Sequence, residues 1–265
     1  QQSHLVMVST GLLHTAVLTA CGHVYVCGKG TYGRLGLGDT KGASDGFKRI
    51  DPCHFTCSPT SSGDITSTTA TTPAPVVIVQ VSAGDTHTLA LSASGDVYSF
   101  GRGASGRLGH AAPGPVFSSA AGGGRAGAKK KLETQPKNGS SSHAEKECQD
   151  ECAPRRIDFF HSRGIRARHV HAGSAMSMVV TDNGAVYTFG SSANTGRLGT
   201  AAGQSHRQSV AQLQEGSPVR RVAAFGGGVG SPDGSGCDEL CGCCGPVASA
   251  AVGLSHCAVV TVKGE

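Results

Sequence analysis

Apolar and polar positions follow one pattern in four stretches of this chain. The segment that begins at Val8 reappears from Val81 without a gap, from Val170 with one added residue, and from Val252 in shortened form. Each full copy has a mostly apolar run, a turn that ends in glycine, and a second short apolar run. Such runs, separated by a glycine-containing turn, predict an antiparallel β-hairpin. The sequence therefore predicts three full copies of a hairpin-based unit and a truncated fourth.

Fixed glycines hold the copies in register, and each full copy closes on Gly-Arg-Leu-Gly. This closing stretch is too rich in glycine for a strand. It predicts a tight loop, where the missing Cβ atoms let two backbones approach closely. The repeat positions to which the pattern assigns a structural role are Gly11, His14, Gly22, Gly28, Gly33, Gly36, Gly84, His87, Gly95, Gly101, Gly106, Gly109, Gly173, Gly184, Gly190, Gly196, Gly199, Gly253, His256 and Gly264.

The turn inside the third copy gives the strongest hairpin signal in the chain. Asn183-Gly184 favours a two-residue turn, because both residues adopt positive φ at low cost. We therefore expect a two-residue hairpin turn at this position.

The architecture follows from the size of the repeating unit. A sheet of three or four short strands cannot bury both faces alone, so the units are expected to pack on one another around an axis, as blades of an all-β propeller. Between the repeats, insertions rich in Ser, Thr, Gly, Lys or Cys show no periodicity, and we expect long disordered loops there. The predicted repeat cores are 8–39, 76–109, 165–199 and the truncated 247–265, and the predicted insertions are 40–75, 112–164 and 200–246.

The repeat resembles that of the regulator of chromosome condensation family. Residues 11–39 match the signature G-x-x-H-T-x-x-L-T-x-x-G-x-V-Y-x-[W/F]-G-x-G-x-x-G-x-L-G-x-G-D nearly throughout. Members of this family form seven-bladed propellers, so the resemblance implies about half of a ring. The aromatic position of the signature holds Cys27, Phe100 and Phe189 here, and the chain has no tryptophan. It therefore lacks the tryptophan cluster with which the related plant ultraviolet-B photoreceptor senses light.

Composition and cysteine usage indicate where in the cell the protein is expected. Hydrophobic residues make up 38% of the chain, and no apolar run has the roughly 18 residues that a membrane-spanning helix needs, so we expect no membrane association. The chain starts and stops within repeats, which leads us to expect flanking sequence in the whole protein. The eleven cysteines are odd in number and have no recurring spacing. Reduced thiols in the nucleus or cytoplasm are therefore expected.

The positive charge of the chain is concentrated in the second insertion. The net charge is +5 for the whole sequence. Between Ala112 and Ala172 the sequence has eleven Lys and Arg residues and six Asp and Glu residues, which gives the same net charge of +5. Lys129, Lys130 and Lys131 form the densest run. This run is either a solvated loop or a patch that contacts DNA, chromatin or the nuclear-import machinery by neutralising charge.

His14, His87 and His256 occupy one register position, which raises the question of a ring of metal ligands. The third copy has Met176 at that position, and a thioether is a poor replacement for a histidine ligand of a borderline metal. A buried core position accepts methionine. We therefore expect buried histidines that hydrogen-bond to backbone.

The densest group of thiols lies in the third insertion. Its spacing, C-x3-C-x-C-C, differs from the paired short knuckles of zinc sites, so unpaired thiols are favoured over a metal site. The alternative of a bound metal stays open. The cysteines of this group are Cys237, Cys241, Cys243 and Cys244.

No Ser/His/Asp set, Cys/His set or carboxylate pair is fixed by motif or spacing, so no intrinsic catalytic site, cofactor or small-molecule substrate is predicted. Family resemblance implies two functions. One is a protein-interaction scaffold, which we prefer. The alternative is guanine nucleotide exchange on a Ran-like small GTPase, achieved by differential binding of the nucleotide-free state. Asp85, in the loop after a register glycine, is the preferred single contact residue for a protein partner.

Overall fold

A computed structural model describes residues 4–55, 76–110, 149–190, 219–222, 247–253 and 256–262. The chain forms four antiparallel sheets, three with four strands and one with two. In each four-stranded sheet the strands pair in chain order. The predicted all-β propeller blades, three complete and one partial, are confirmed.

The strands are short, and all have similar lengths except β12, which has two residues. The first sheet contains β1 (Leu5–Thr10), β2 (His14–Thr19), β3 (Val24–Gly28) and β4 (Ala43–Arg49); the second β5 (Ile78–Ala83), β6 (His87–Ser92), β7 (Val97–Gly101) and β8 (Glu151–Arg156); the third β9 (Ala167–Ala172), β10 (Met176–Thr181), β11 (Val186–Gly190) and β12 (Arg220–Arg221); and the fourth β13 (Val247–Val252) and β14 (Cys257–Thr261). Helix α1 (Asp158–Ser162) and 3₁₀ turns at Thr31–Gly33, Pro52–Phe55 and Ala104–Gly106 complete the described elements. Within the described residues, no helix has the length and apolar character needed to cross a bilayer.

The sheets pack face to face, and each junction has its own apolar core. All six residues of β6 and of β10 are buried, because these strands have a neighbouring sheet on both sides. Phe100 extends from the second sheet into a cluster with Leu35 and Ile50 of the first. Phe189 does the same between the third and second sheets. The aromatic position of the repeat is therefore a contact to the preceding blade.

These aromatic rings explain the last glycine of Gly-Arg-Leu-Gly. A Cβ atom on Gly36 would lie 2.8 Å from the ring of Phe100, and one on Gly109 would lie 3.0 Å from the ring of Phe189. Both glycines also have positive φ, 68° and 75°. A close approach is found at this loop, but at these two glycines its partner is the aromatic side chain of the next blade rather than a backbone.

The register glycines bring neighbouring blades into backbone contact. A Cβ atom on Gly11 would overlap the carbonyl oxygen of Gly84, and one on Gly84 would overlap the carbonyl oxygen of Gly173. These three glycines have φ values that other residues adopt, so close packing alone requires glycine there.

The hairpin turns differ from the prediction made for Asn183-Gly184. Gly184 has φ of 78°, but Asn183 is not among the residues with positive φ. The amide of Gly184 donates to the carbonyl of Thr181 at 2.9 Å, as in a type I turn followed by a left-handed glycine. The Asn183 side chain accepts hydrogen bonds from the Thr181 hydroxyl and from the Ala185 amide. The expected two-residue turn is therefore wrong, because the Asn183 side chain stabilises a longer turn.

The fourth strand of each complete sheet comes from a segment assigned to an insertion. Residues 43–55, 149–164 and 219–222 contain β4, β8, β12, α1 and a 3₁₀ turn, where loops were expected. The physical reason is that the outer edges of β3, β7 and β11 carry backbone groups that need hydrogen-bond partners. The rest of the three insertions lies outside the described residues.

Candidate interaction face

Two kinds of loop leave the sheets at the same end. His14 pairs with Gly28, and His87 pairs with Gly101, so the loop before β2 or β6 lies beside the loop after β3 or β7. We call this end the loop face. It consists of residues 11–13, 29–42, 84–86, 102–110 and 173–175.

The register histidines lie beneath this face, between blades. His14 is 4% exposed, and its Nε2 lies 2.8 Å from the Thr88 hydroxyl of the next blade. That hydroxyl donates its single proton to the carbonyl oxygen of Arg34 at 2.9 Å. It can therefore only accept from His14, which places the imidazole proton on Nε2.

The same arrangement recurs one blade later. Nε2 of His87 lies 2.8 Å from the Ser177 hydroxyl, which donates to the carbonyl oxygen of Arg107 at 2.8 Å. The histidines are buried as predicted, but their partner is a hydroxyl of the next blade rather than backbone. A side-chain partner at that position was not expected because it lies more than seventy residues away in the sequence.

Burial keeps both imidazoles neutral. Burial, together with the nearby charge of Arg34, lowers the pKa of His14 to about 4, and Asp85 opposes this shift. Burial, followed by the charges of Arg107 and His14, lowers the pKa of His87 to about 3. A group held neutral and hydrogen-bonded between blades is suited to a structural role.

Between the third and fourth copies, both members of the pair of histidine and hydroxyl residue are replaced. Met176 takes the histidine position and is buried, and Cys257 takes the position of Thr88 and Ser177. His256 is exposed, so the expectation of burial is wrong for this residue. A thioether cannot donate a hydrogen bond, and a thiol is a weak acceptor, so the two replacements suit each other.

The arginine of Gly-Arg-Leu-Gly joins one blade to the next. Arg34 is 2% exposed; its Nε donates to the Thr31 carbonyl at 3.0 Å and its Nη1 to the Asp85 carbonyl at 2.9 Å. Arg107 repeats this, since its Nε donates to the Ala104 carbonyl at 2.9 Å and its Nη1 to the Ser174 carbonyl at 3.1 Å. Both arginines therefore clamp the loop of the following blade.

Other side chains of the loop face remain available for a partner. Leu12 and Leu13 are 65% and 49% exposed in the loop before β2. The guanidinium of Arg102 lies 4.9 Å from the centre of the Tyr32 ring, which belongs to the preceding blade. Tyr32 has φ of 66°, an unusual value for a bulky residue. Ser105 has the equivalent value of 63°, so this conformation belongs to the repeat.

Asp85 lies at the edge of this group and is half-buried. Its amide donates to the carbonyl of Gly173 at 3.2 Å, and its carbonyl accepts from Arg34. In the part of the chain that the structure describes, its carboxylate has no hydrogen-bond partner. Its role as a partner contact stays a prediction.

Several predicted positions lie outside the described residues: Lys129, Lys130 and Lys131, the four clustered cysteines, and Gly196, Gly199 and Gly264. The described cysteines are not joined in disulfides, and within the described ranges no three His, Cys, Asp or Glu side chains are grouped as metal ligands.

Tyr32, Leu12, Leu13 and Arg102 were missed as candidate contacts. A weak signal was present, since Lys29 and Arg102 share one register position and are both basic. Their proximity to an aromatic ring depends on the neighbouring blade, which a single repeat does not show.

Comparisons with known proteins agree with the fold. Residues 21–91 and 78–107 match the regulator of chromosome condensation (RCC1) repeat. The chain is 33% identical to the human probable E3 ubiquitin-protein ligase HERC3 over 106 residues, which cover 40% of this chain and 8% of that protein. It is 28% identical to the human E3 ubiquitin-protein ligase HERC2 over 188 residues, 70% of this chain and 3% of that protein. The chain therefore spans a small part of these relatives.

Two solved structures have a similar fold. Human WBSCR16 has a TM-score of 0.56 and 19% sequence identity, over 100% of this chain and 46% of that one. Prp20p from Saccharomyces cerevisiae, whose binding to Gsp1p and histones has been described, has a TM-score of 0.54 and 16% identity, over 97% of this chain and 43% of that one. This chain corresponds to somewhat less than half of each structure.

Proposed function

Since the repeats of this chain belong to the regulator of chromosome condensation family, we propose that it is part of an interaction propeller that binds a partner protein on the loop face. The proposal depends on one observation: Leu12, Leu13, Tyr32 and Arg102 lie on that face and are not needed for the clamps between blades. Tyr, Arg and exposed apolar residues are the side chains that contribute most at protein interfaces. Asp85 adds an acidic group beside them.

We assign the protein to the nucleus or cytoplasm, with a protein as its ligand. The odd number of cysteines, which have no recurring spacing, supports this assignment, because disulfides are rare in those compartments.

The proposal is tested with the whole chain as bait and a matched pair of variants. The variant L12S/L13S changes the loop face. The control V260S/V262S changes two valines, 50% and 66% exposed, at the opposite end of the fourth sheet. Partners are captured, identified by quantitative mass spectrometry and purified, and their affinity is measured by calorimetry.

We expect the loop-face variant to weaken binding by about tenfold or more, as loss of an interface hot spot does, while the control stays near wild type. If every captured partner binds both variants as tightly as the wild-type chain, the loop face is not the interaction surface.

Guanine nucleotide exchange on a Ran-like GTPase is the second candidate. The similarity in fold to Prp20p, for which Gsp1p binding has been described, favours it. Release of mant-GDP from a panel of small GTPases is followed with and without the protein. Acceleration for one GTPase, lost in L12S/L13S, supports exchange; unchanged release from every member of the panel removes it.

Lys129, Lys130 and Lys131 give a separate candidate contact to DNA or chromatin, for which the local charge is the support. Their replacement by alanine is expected to weaken retention on DNA at low salt. Unchanged retention would leave the run as a solvated loop.

A further inference from the structure

The outermost strand of every complete blade carries two adjacent basic residues at the same register. The second of each pair lies opposite the tyrosine that recurs in each full repeat, on the neighbouring strand. The first lies opposite the residue after that tyrosine. A buried Ile or Val follows each pair. The pairs, which together we call the basic rim, are Lys48-Arg49, Arg155-Arg156 and Arg220-Arg221.

Folding does not account for this repetition. The buried Ile50, Ile157 and Val222 anchor the outer strands, and the residues opposite the first basic position differ from blade to blade. Charge on an edge strand prevents aggregation, but lysine is the usual residue for that purpose. Five of the six rim residues are arginine, whose planar guanidinium matches phosphate geometry.

Four of the six rim residues are exposed to solvent. Lys48, Arg49, Arg155 and Arg221 are exposed, and Arg156 is half-buried. Arg155 pairs with Glu151 at 2.6 Å, an ion pair that is itself open to solvent. The rim therefore places a pair of basic residues on the outer strand of each complete blade.

The surroundings of the rim favour a polyanion over a folded protein surface. Among the described residues of the outer strands, one large apolar side chain, that of Phe47, is strongly exposed. A folded partner would need an apolar centre to its interface, whereas a phosphate backbone is held by charge alone. Two of the three tyrosines opposite the rim offer no stacking platform, since Tyr98 is 2% exposed and Tyr187 is packed against Phe159 and Phe160. Single-stranded nucleic acid, which stacks on aromatic rings, is therefore disfavoured.

We propose that the basic rim binds the phosphate backbone of a nucleic acid duplex without sequence preference. This surface lies on the outer strands and is distinct from the loop face that we assign to a protein partner.

The test uses the whole chain and a fluorescein-labelled DNA duplex of mixed sequence and about 25 base pairs, titrated by fluorescence anisotropy between roughly 50 and 200 mM KCl. The rim variant is K48Q/R49Q/R155Q/R221Q. The control, K29Q/K41Q/R166Q/R168Q, removes four exposed cations outside the rim, so the two variants have the same net charge.

We expect the rim variant to lose about 0.9 in the slope of log K against log salt for each phosphate contact removed, a decrease of roughly 2 to 4. Its affinity at low salt should fall at least tenfold, and the control should stay within about threefold of wild type. The charge-preserving variant R49K/R155K/R156K/R221K should retain the slope, which separates lost charge from a folding defect.

Three results would overturn the proposal. Equal losses in rim and control variants would indicate a general charge effect. Unchanged binding by the rim variant, with loss in K129Q/K130Q/K131Q, would assign DNA to the second insertion alone. Binding of polyglutamate, but not of duplex, in a rim-dependent manner would identify an acidic protein segment as the occupant.

Discussion

At the scale of the residue, the polar side chains of the repeat are used between blades. His14 and His87 each donate from Nε2 to a hydroxyl of the following blade, and burial holds both imidazoles neutral. His110 is a third buried imidazole, whose Nε2 lies 3.0 Å from the Ser99 hydroxyl, and burial lowers its pKa to about 3. Protonation of any of these rings would place a charge in a site that water does not reach.

This burial predicts a pH-dependent stability. In the unfolded chain a histidine takes up a proton near pH 6.5, whereas His14, His87 and His110 do so only near pH 3 to 4 when folded. Between these values the unfolded state binds more protons, so the free energy of unfolding decreases as pH falls below 6.5. The loss approaches about 1.4 kcal/mol per pH unit for each histidine.

Urea unfolding at pH 7, 6 and 5 measures the effect. In H87Q, where glutamine keeps an N–H donor but does not titrate, the contribution of His87, up to about 1.4 kcal/mol per pH unit, should disappear from the pH dependence. The exposed histidine variant H256Q should keep the wild-type dependence. A wild-type dependence in H87Q would show that His87 is not the buried titrating group.

At the scale of the element, the loop that closes each repeat is a connector. The arginine of Gly-Arg-Leu-Gly holds its own loop through Nε and the following blade through Nη1. The last glycine of the same loop gives room to the next aromatic ring. One short motif therefore fixes both polar and apolar contacts across a junction.

From the contacts of Arg107 we expect that even a conservative substitution of this residue will lower the stability of the protein. In R107K, lysine keeps the charge but cannot reach Ala104, Thr86 and Ser174 with one planar group, so buried acceptors lose their donors. We expect a loss of about 1 to 3 kcal/mol in the free energy of unfolding, measured by urea denaturation. The exposed Arg168 provides the matched control, R168K, which should change stability by less than about 0.5 kcal/mol. Equal stability of the two variants would argue against the clamp.

At the scale of the whole molecule, each blade depends on its neighbours. The apolar cores lie between sheets rather than inside them, and the register glycines, histidines and arginines all contact the following blade. Stability in such an arrangement is a sum of blade and junction contributions. A defect at one junction should therefore have its main effect on the two blades that share it.

Phe100 and Cys27 test this coupling, because they occupy one register position. Phe100 is fully buried against the first blade, whereas Cys27 is half-buried on the face of the first blade that is turned away from the second. F100A should cost about 3 to 5 kcal/mol, and C27A much less. Hydrogen exchange should show lost protection in the first two blades of F100A and less change in the third. Uniform loss over all blades, or equal effects of the two variants, would contradict nearest-neighbour coupling.

The sequence by itself determined the repeat, the hairpins and the fold class, because strand alternation and fixed glycines are local signals that recur in each copy. It also predicted buried register histidines, an expectation that holds for His14 and His87 but not for His256. A local signal also existed for the basic rim, in the recurring Lys/Arg-Arg-Ile/Val, but it lies at variable distances from the glycine register.

Only the tertiary structure decided which residues those positions contact. Thr88 and Ser177 accept hydrogen bonds from histidines 74 and 90 residues away. Asn183 accepts a hydrogen bond from Thr181 within a longer turn. The fourth strands come from segments with the composition of loops. Such contacts depend on the packing of neighbouring blades and on unpaired strand edges that need partners. Because insertions of different length separate the blades, the contacts have no fixed spacing in the sequence from which they could be read.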